Sequence, residues 1–233
     1  ASLLFIFSTY HFFFGADTRT YAMLSFATAC SLYYLLAILK NPECRKGFIG
    51  LIVSNLILIF GHYFGLLVVF MQFLVSFIYF DNKTIFKKIF KTLIFTGVLY
   101  LPMIVVLVKQ FLISKNGTWL SPPQGSDYIR EMKWFLNSGI GFTVACYILG
   151  AGLLFAIFAK LKKEQLREVL LLFVWWFVPY TLMFVVSSKI PMFTNRYILF
   201  NTIGFYLFIA VAISYFYQRI KFFAPLVSLV LVV

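Results

Sequence analysis

The chain has 233 residues, 63% of them hydrophobic and 12% charged, with a formal net charge of +13. Soluble domains are about half apolar and a quarter charged, so this balance argues against one and predicts a polytopic membrane protein. The basic residues fall in short clusters between apolar runs, the pattern of the positive-inside rule, which argues against nucleic-acid binding.

Residues 1–14 are apolar but too short to span a bilayer core of about 30 Å as a helix. They lack the basic start and small-residue cleavage site of a signal peptide. They read as the end of a helix, and the chain as a piece of a longer polytopic protein. The stretch 15–21 follows, holding Asp17 and Arg19 between two apolar runs. Residues 20–39 make a full span, and a basic turn at 40–46 carries Lys40, Arg45 and Lys46. The run 48–80 has 33 residues and no Asp, Glu, Lys or Arg. As one helix it would be about 50 Å long at 1.5 Å per residue, well beyond one bilayer core, so it must break. The predicted break is 61–65, where Gly61 and Gly65 bracket His62 and Tyr63. This gives two short membrane helices.

A basic loop is expected at 81–91, then a span over 92–113 kinked at Pro102. The outer loop 114–138 is the longest polar segment. Within it, 127–136 is expected to form an amphipathic interfacial helix, with Tyr128, Met132, Phe135 and Leu136 on one side. Spans over 140–159, 169–186 and 197–217 are separated by a charged turn at 160–168 and a polar loop at 187–196. A basic turn at 218–221 leads into a last apolar run. The fold class is therefore all-α, a single transmembrane helical bundle with about eight membrane segments over 1–233.

Of the Lys and Arg residues, 13 fall on one predicted side (40–46, 83–91, 160–167 and 219–221) and 7 on the other. The richer side should be cytoplasmic. Asp17, the break at His62, the loop 114–138 and the loop 187–196 then all face outward. The expected location is a plasma (inner) membrane, with the site toward the periplasm or exterior.

Charge beside hydrocarbon is costly, so the ionisable residues of the outer face are the candidate site. Asp17 and Arg19 read either as a carboxylate beside a phosphate-binding cation or as interfacial charge at a helix start. Two residues apart on a helix, they would not face each other. His62 sits at a forced break, where unwound backbone is tolerated mainly if it lines a cavity; the alternative is a satisfied interfacial histidine. Lys189 and Arg196 read as phosphate ligands or as snorkelling cations. Trp119, Pro122, Pro123 and Asp127 suggest a lid or a plain connector. Residues 116–118 read Asn-Gly-Thr, a glycosylation triplet that is common by chance. Cys30, Cys44 and Cys146 lack metal-ligand spacing and read as small apolar side chains. No metal cluster, phosphate-binding glycine loop or Ser/His/Asp arrangement is present in the sequence.

Four strings, in order, resemble the GT-C superfamily of integral-membrane glycosyltransferases, in particular the aminoarabinose-transferase and protein O-mannosyltransferase group. They are Ala-Asp-Thr-Arg-Thr-Tyr-Ala at 16–22, His-Tyr-Phe-Gly at 62–65, Trp-Leu-Ser-Pro-Pro at 119–123 and Asn-Arg-Tyr-Ile-Leu at 195–199. The resemblance implies a polyprenyl-phosphate-linked sugar donor, a lipid, glycan or protein acceptor on the outer face, inversion at the anomeric carbon, and no cofactor or metal. It casts Asp17 as the second acidic site residue, with Arg19, His62 and Arg196 holding the donor phosphate or shaping its cavity; Tyr21, Tyr63 and Lys189 are expected to join them in binding substrate. The family's main catalytic carboxylate lies in a first outer loop that this chain does not contain. Two other readings stand beside the enzyme: a transporter or flippase, and a non-catalytic membrane subunit with partners in a larger complex.

Overall fold

A computed structural model describes residues 1–17, 19–115, 120–158, 162–217 and 231. Every regular element among them is helical: α1 (Ser2–Ile6), α2 (Thr9–Gly15), α3 (Tyr21–Lys40), α4 (Arg45–Gly61), α5 (Phe64–Ile78), α6 (Lys83–Tyr100), a 3-10 turn (Leu101–Met103), α7 (Ile104–Lys115), α8 (Gly125–Lys133), α9 (Gly139–Phe158), α10 (Lys163–Val186), α11 (Asn195–Ile198) and α12 (Asn201–Tyr217). Among the described residues three stretches are long and apolar enough to cross a membrane: Tyr21–Lys40, Lys83–Ile113 and Lys163–Val186. The other apolar helices are shorter. The 15 residues of α5 reach about 22 Å, less than a bilayer core. The expectation of about eight segments is thus met by length and composition at three.

The apolar run 48–80 breaks at the expected place. α4 ends at Gly61, His62 is extended (φ −160°, ψ 144°), and α5 begins at Phe64. Glycine is required at 65 by close approach. A Cβ there would lie 2.2 Å from the Leu58 carbonyl oxygen, so only glycine lets the first turn of α5 sit on the last turn of α4. Two side chains then join the hairpin: Asn55 and Gln72, both fully buried, bond each other through their amides. Pro102 sits in the 3-10 turn between α6 and α7, where it lacks the N–H an uninterrupted helix would need.

Three expected boundaries are corrected. The opening apolar segment is two short helices, not the end of one, because the Ser8 hydroxyl accepts from the His11 N–H (3.2 Å) and starts α2. The basic loop 81–91 is mostly helix: Asn82 caps α6 by accepting from Ile85 N–H (3.2 Å), and Lys is a good helix former. The charged turn 160–168 is likewise cut short, since α10 begins at Lys163 with Gln165 Oε1 accepting from Lys162 N–H (3.0 Å).

α3 packs mainly on α4, and α10 on α12. The second contact is close because a Cβ at Gly204 would meet the Trp176 backbone nitrogen and Cβ at 3.0 Å. Where lipid surrounds helices, such small-residue contacts and polar pairs replace the hydrophobic drive between them. The two ends of the bundle differ. At one, Asp81 pairs with Lys163 and Arg167, joining two turns predicted for the basic side. At the other, Asn137 Nδ2 donates to Phe7 O (2.8 Å) and Tyr10 OH to Asn195 O, joining segments predicted for the opposite side. α8 lies at that end. Met132, Phe135 and Leu136 are buried, and Tyr128 packs its ring against Tyr180 (4.9 Å) and Phe184 (5.0 Å).

Candidate functional site

Tyr21 is the first residue of α3 and is 4% exposed. Its ring lies 5.7 Å from that of His62 and 5.6 Å from that of Tyr197. The His62 and Tyr197 rings are 6.1 Å apart, and Phe64 closes the group at 5.0 Å from His62 and 5.4 Å from Tyr197. Three segments distant in sequence therefore meet: the start of α3, the break between α4 and α5, and α11.

Cations flank these rings. The Arg19 guanidinium is in polar contact with the Tyr21 hydroxyl, and that contact, with Asp17 beside it, holds the guanidinium charged. Asp17 Oδ1 lies 3.9 Å from Arg19 Nε. The two can meet because residues 16, 17 and 19 are not helical, so the helical spacing argument does not apply. The Arg196 guanidinium lies 5.5 Å from the Tyr197 ring centre. Tyr197 is also in polar contact with Tyr21. Burial, then Tyr21, raises its pKa against the opposing pull of Arg196 and Arg19.

His62 is mostly buried, and burial lowers its pKa to about 4, so it is neutral near pH 7. Its Nδ1 accepts from the Phe64 N–H (3.3 Å), which places the proton on Nε2. His62 thus offers one neutral N–H rather than a third cation. The whole group can bind an anion: two guanidinium groups supply charge, and neutral N–H and O–H groups supply direction.

The predicted site residues divide. Arg19, Tyr21 and His62 come together, Arg196 joins through Tyr197, and Asp17 joins through Arg19. Tyr63 is half-exposed at the rim, its ring 5.8 Å from that of His62. Lys189 is exposed on the turn after α10, and among the described residues no ion pair or side-chain hydrogen bond carries it to the cluster. Thr18, Trp119 and the triplet 116–118 lie outside the described residues.

Two residues of this end were not singled out from the sequence. Tyr197 lies inside the quoted string 195–199, yet nothing in that string marks its ring as the bridge. Glu131, on α8, is 9% exposed; Arg130 Nη2 reaches its Oε1 at 3.3 Å, and its Oε2 is buried without a partner among the described residues. Burial raises its pKa. The one available signal was a carboxylate beside Met132 on an amphipathic helix.

No known protein family, curated protein or solved structure matches the chain. Fold and site together define a helical protein with three stretches fit to cross a membrane. At one end it carries an aromatic cluster flanked by guanidinium groups.

Proposed function

We propose that this chain acts as an integral-membrane glycosyltransferase of the GT-C type. It would move a sugar from a polyprenyl-phosphate-linked donor to an acceptor on the outer face of a plasma (inner) membrane. In this reading the shorter apolar helices are membrane segments beside the three long ones, and the basic turns are cytoplasmic. The observation that carries the proposal is the convergence on Tyr21 of Arg19, His62 and Tyr197, with Arg196 beside them.

The acceptor hydroxyl oxygen attacks the anomeric carbon as the bond from that carbon to the phosphate oxygen breaks. The phosphate leaves with the bonding electrons. Negative charge therefore grows on the phosphate, where Arg19 and Arg196 neutralise it and His62 Nε2–H donates to it. Preorganised donors aimed at developing charge contribute about 3–4 kcal/mol each in acyl-transfer enzymes. The acceptor proton goes to a carboxylate. Among the described residues Asp17 is the carboxylate at the cluster, and its contact with Arg19 sets its position.

The test uses the protein in proteoliposomes with a polyprenyl-phosphate sugar. Arg19→Ala, Arg196→Ala and Asp17→Asn should each lower transfer roughly 100-fold or more without changing the melting temperature. Transfer at the unaltered rate by all three would reject the assignment.

A further inference from the structure

α3 and α4 do not close on each other along their whole length. Between them runs a groove of about 690 Å³. Its floor is made by missing side chains: Gly47 and Gly50 lie on its α4 wall, and the Tyr34 ring leans so far onto α4 that a Cβ at Gly50 would meet it at 2.4 Å. Its rim is apolar and open, with Phe26 and Tyr33 both about two-thirds exposed. Along α4 the groove runs from Lys46 to Ile57. That is about 16 Å at 1.5 Å per residue, half of a bilayer core of about 30 Å.

Among the described residues Lys46 is the one charged side chain lining the groove. It sits in the first turn of α4, where the exposed residues Lys40 at the end of α3 and Arg45 and Lys46 at the start of α4 flank a turn whose single acid is Glu43. α6 packs on both helices, and Lys88 Nζ sits 5.0 Å from the Phe48 ring centre. Phe48 is two residues from both Lys46 and Gly50, about 200° around α4 at 3.6 residues per turn, so the lysines at the start of α6 share this end of the bundle without lining the groove. A slot one leaflet deep, apolar along its length and cationic at its mouth, matches a single lipid with an anionic headgroup. Basic side chains near a membrane surface attract such headgroups additively.

We propose that this groove is a binding site for an anionic diacyl phospholipid. One acyl chain lies between α3 and α4, and the phosphate rests on Arg45 and Lys46. The inference uses α3 as a membrane-crossing helix but none of the residues around Tyr21, so its failure would leave the proposed activity standing, and the reverse.

The test reconstitutes the full chain with equal amounts of phosphatidylglycerol and phosphatidylcholine of the same chain length and counts retained lipid by native mass spectrometry. The unaltered protein should retain phosphatidylglycerol several-fold over phosphatidylcholine. R45A/K46A should abolish that preference, bringing retention of the two lipids to about equal. V53W, which fills the groove from its exposed wall, should lose the bound phosphatidylglycerol while keeping the melting temperature. Equal retention of the two lipids by the unaltered protein, or retention unchanged in V53W, would overturn the proposal. So would a dimer whose interface excludes lipid from α3 and α4.

Discussion

Asn55 and Gln72 exchange two amide hydrogen bonds across the α4–α5 hairpin, Nδ2 to Oε1 at 2.7 Å and Nε2 to Oδ1 at 2.6 Å. Both residues are fully buried. The run 48–80 carries no acid and no Lys or Arg, and this neutral pair holds its two halves in register. The pair satisfies itself, so neither amide needs water. Asn55→Leu alone leaves the Gln72 amide buried and unpartnered, at a cost of about 1–3 kcal/mol. Asn55→Leu with Gln72→Leu should recover much of that loss. The check is a double-mutant cycle on thermal unfolding in detergent, with an expected coupling of about 0.6–1.7 kcal/mol. Additive losses would show that the pair carries no shared energy.

Gly65 and Gly61 bracket the same break but are not equivalent. A Cβ at 65 would strike the Leu58 backbone carbonyl, which cannot move without unwinding α4. A Cβ at 61 would meet Met23 Cε at 2.5 Å, the far end of a flexible side chain. Gly65→Ala should therefore destabilise by about 2 kcal/mol or more, and Gly61→Ala by well under half of that. Melting temperatures of the two variants decide it, and equal losses would contradict the asymmetry.

The chain has two histidines, and burial lowers both His11 and His62 to about 4. His11 also bonds the Thr202 hydroxyl at 2.6 Å. Between pH 4 and the ordinary histidine value of 6.5, the unfolded chain binds more protons at these sites than the folded one. Their contribution to stability is thus whole above pH 6.5 and is lost as pH falls toward 4. His62→Gln with His11→Gln should flatten this part of the stability curve, measured by denaturant unfolding from pH 7 to pH 4. An unchanged slope would show that neither ring is buried as described.

Glu131 has the opposite sign. Burial raises its pKa above the ordinary 4.5, with Arg130 opposing, so the folded chain holds the proton more tightly. Stability at this site falls as pH rises above about 4.5 and stays reduced at neutral pH. Glu131→Gln should raise the melting temperature at pH 7 and have little effect at pH 4. A lower melting temperature at pH 7 would mean that the carboxylate is stabilised by a partner.

Part of the cluster around Tyr21 is legible in the sequence. That the run 48–80 must break follows from its 33 residues, which exceed one bilayer core, and its place at His62 follows from the glycines at 61 and 65. The Asp17–Arg19 contact does not, because helical spacing was assumed where the backbone is not helical. Lys189 shared the predicted side with the others, but side alone does not bring residues into contact. Glu131 escaped because partners from distant helices, not its own neighbours, decide whether a carboxylate is buried.

The sequence by itself determined the helical, apolar character of the chain, the interruptions at Gly61–Gly65 and Pro102, and the uneven spread of basic residues. These depend on local composition and on covalent features of glycine and proline. Only the tertiary structure decided that Tyr21, His62 and Tyr197 share one cluster, that Asn55 faces Gln72, and that Gly204 admits Trp176. In a chain apolar on nearly every face, hydrophobic periodicity cannot tell lipid-facing from helix-facing positions. The facing surfaces are chosen by close packing and by the few polar groups that must find each other.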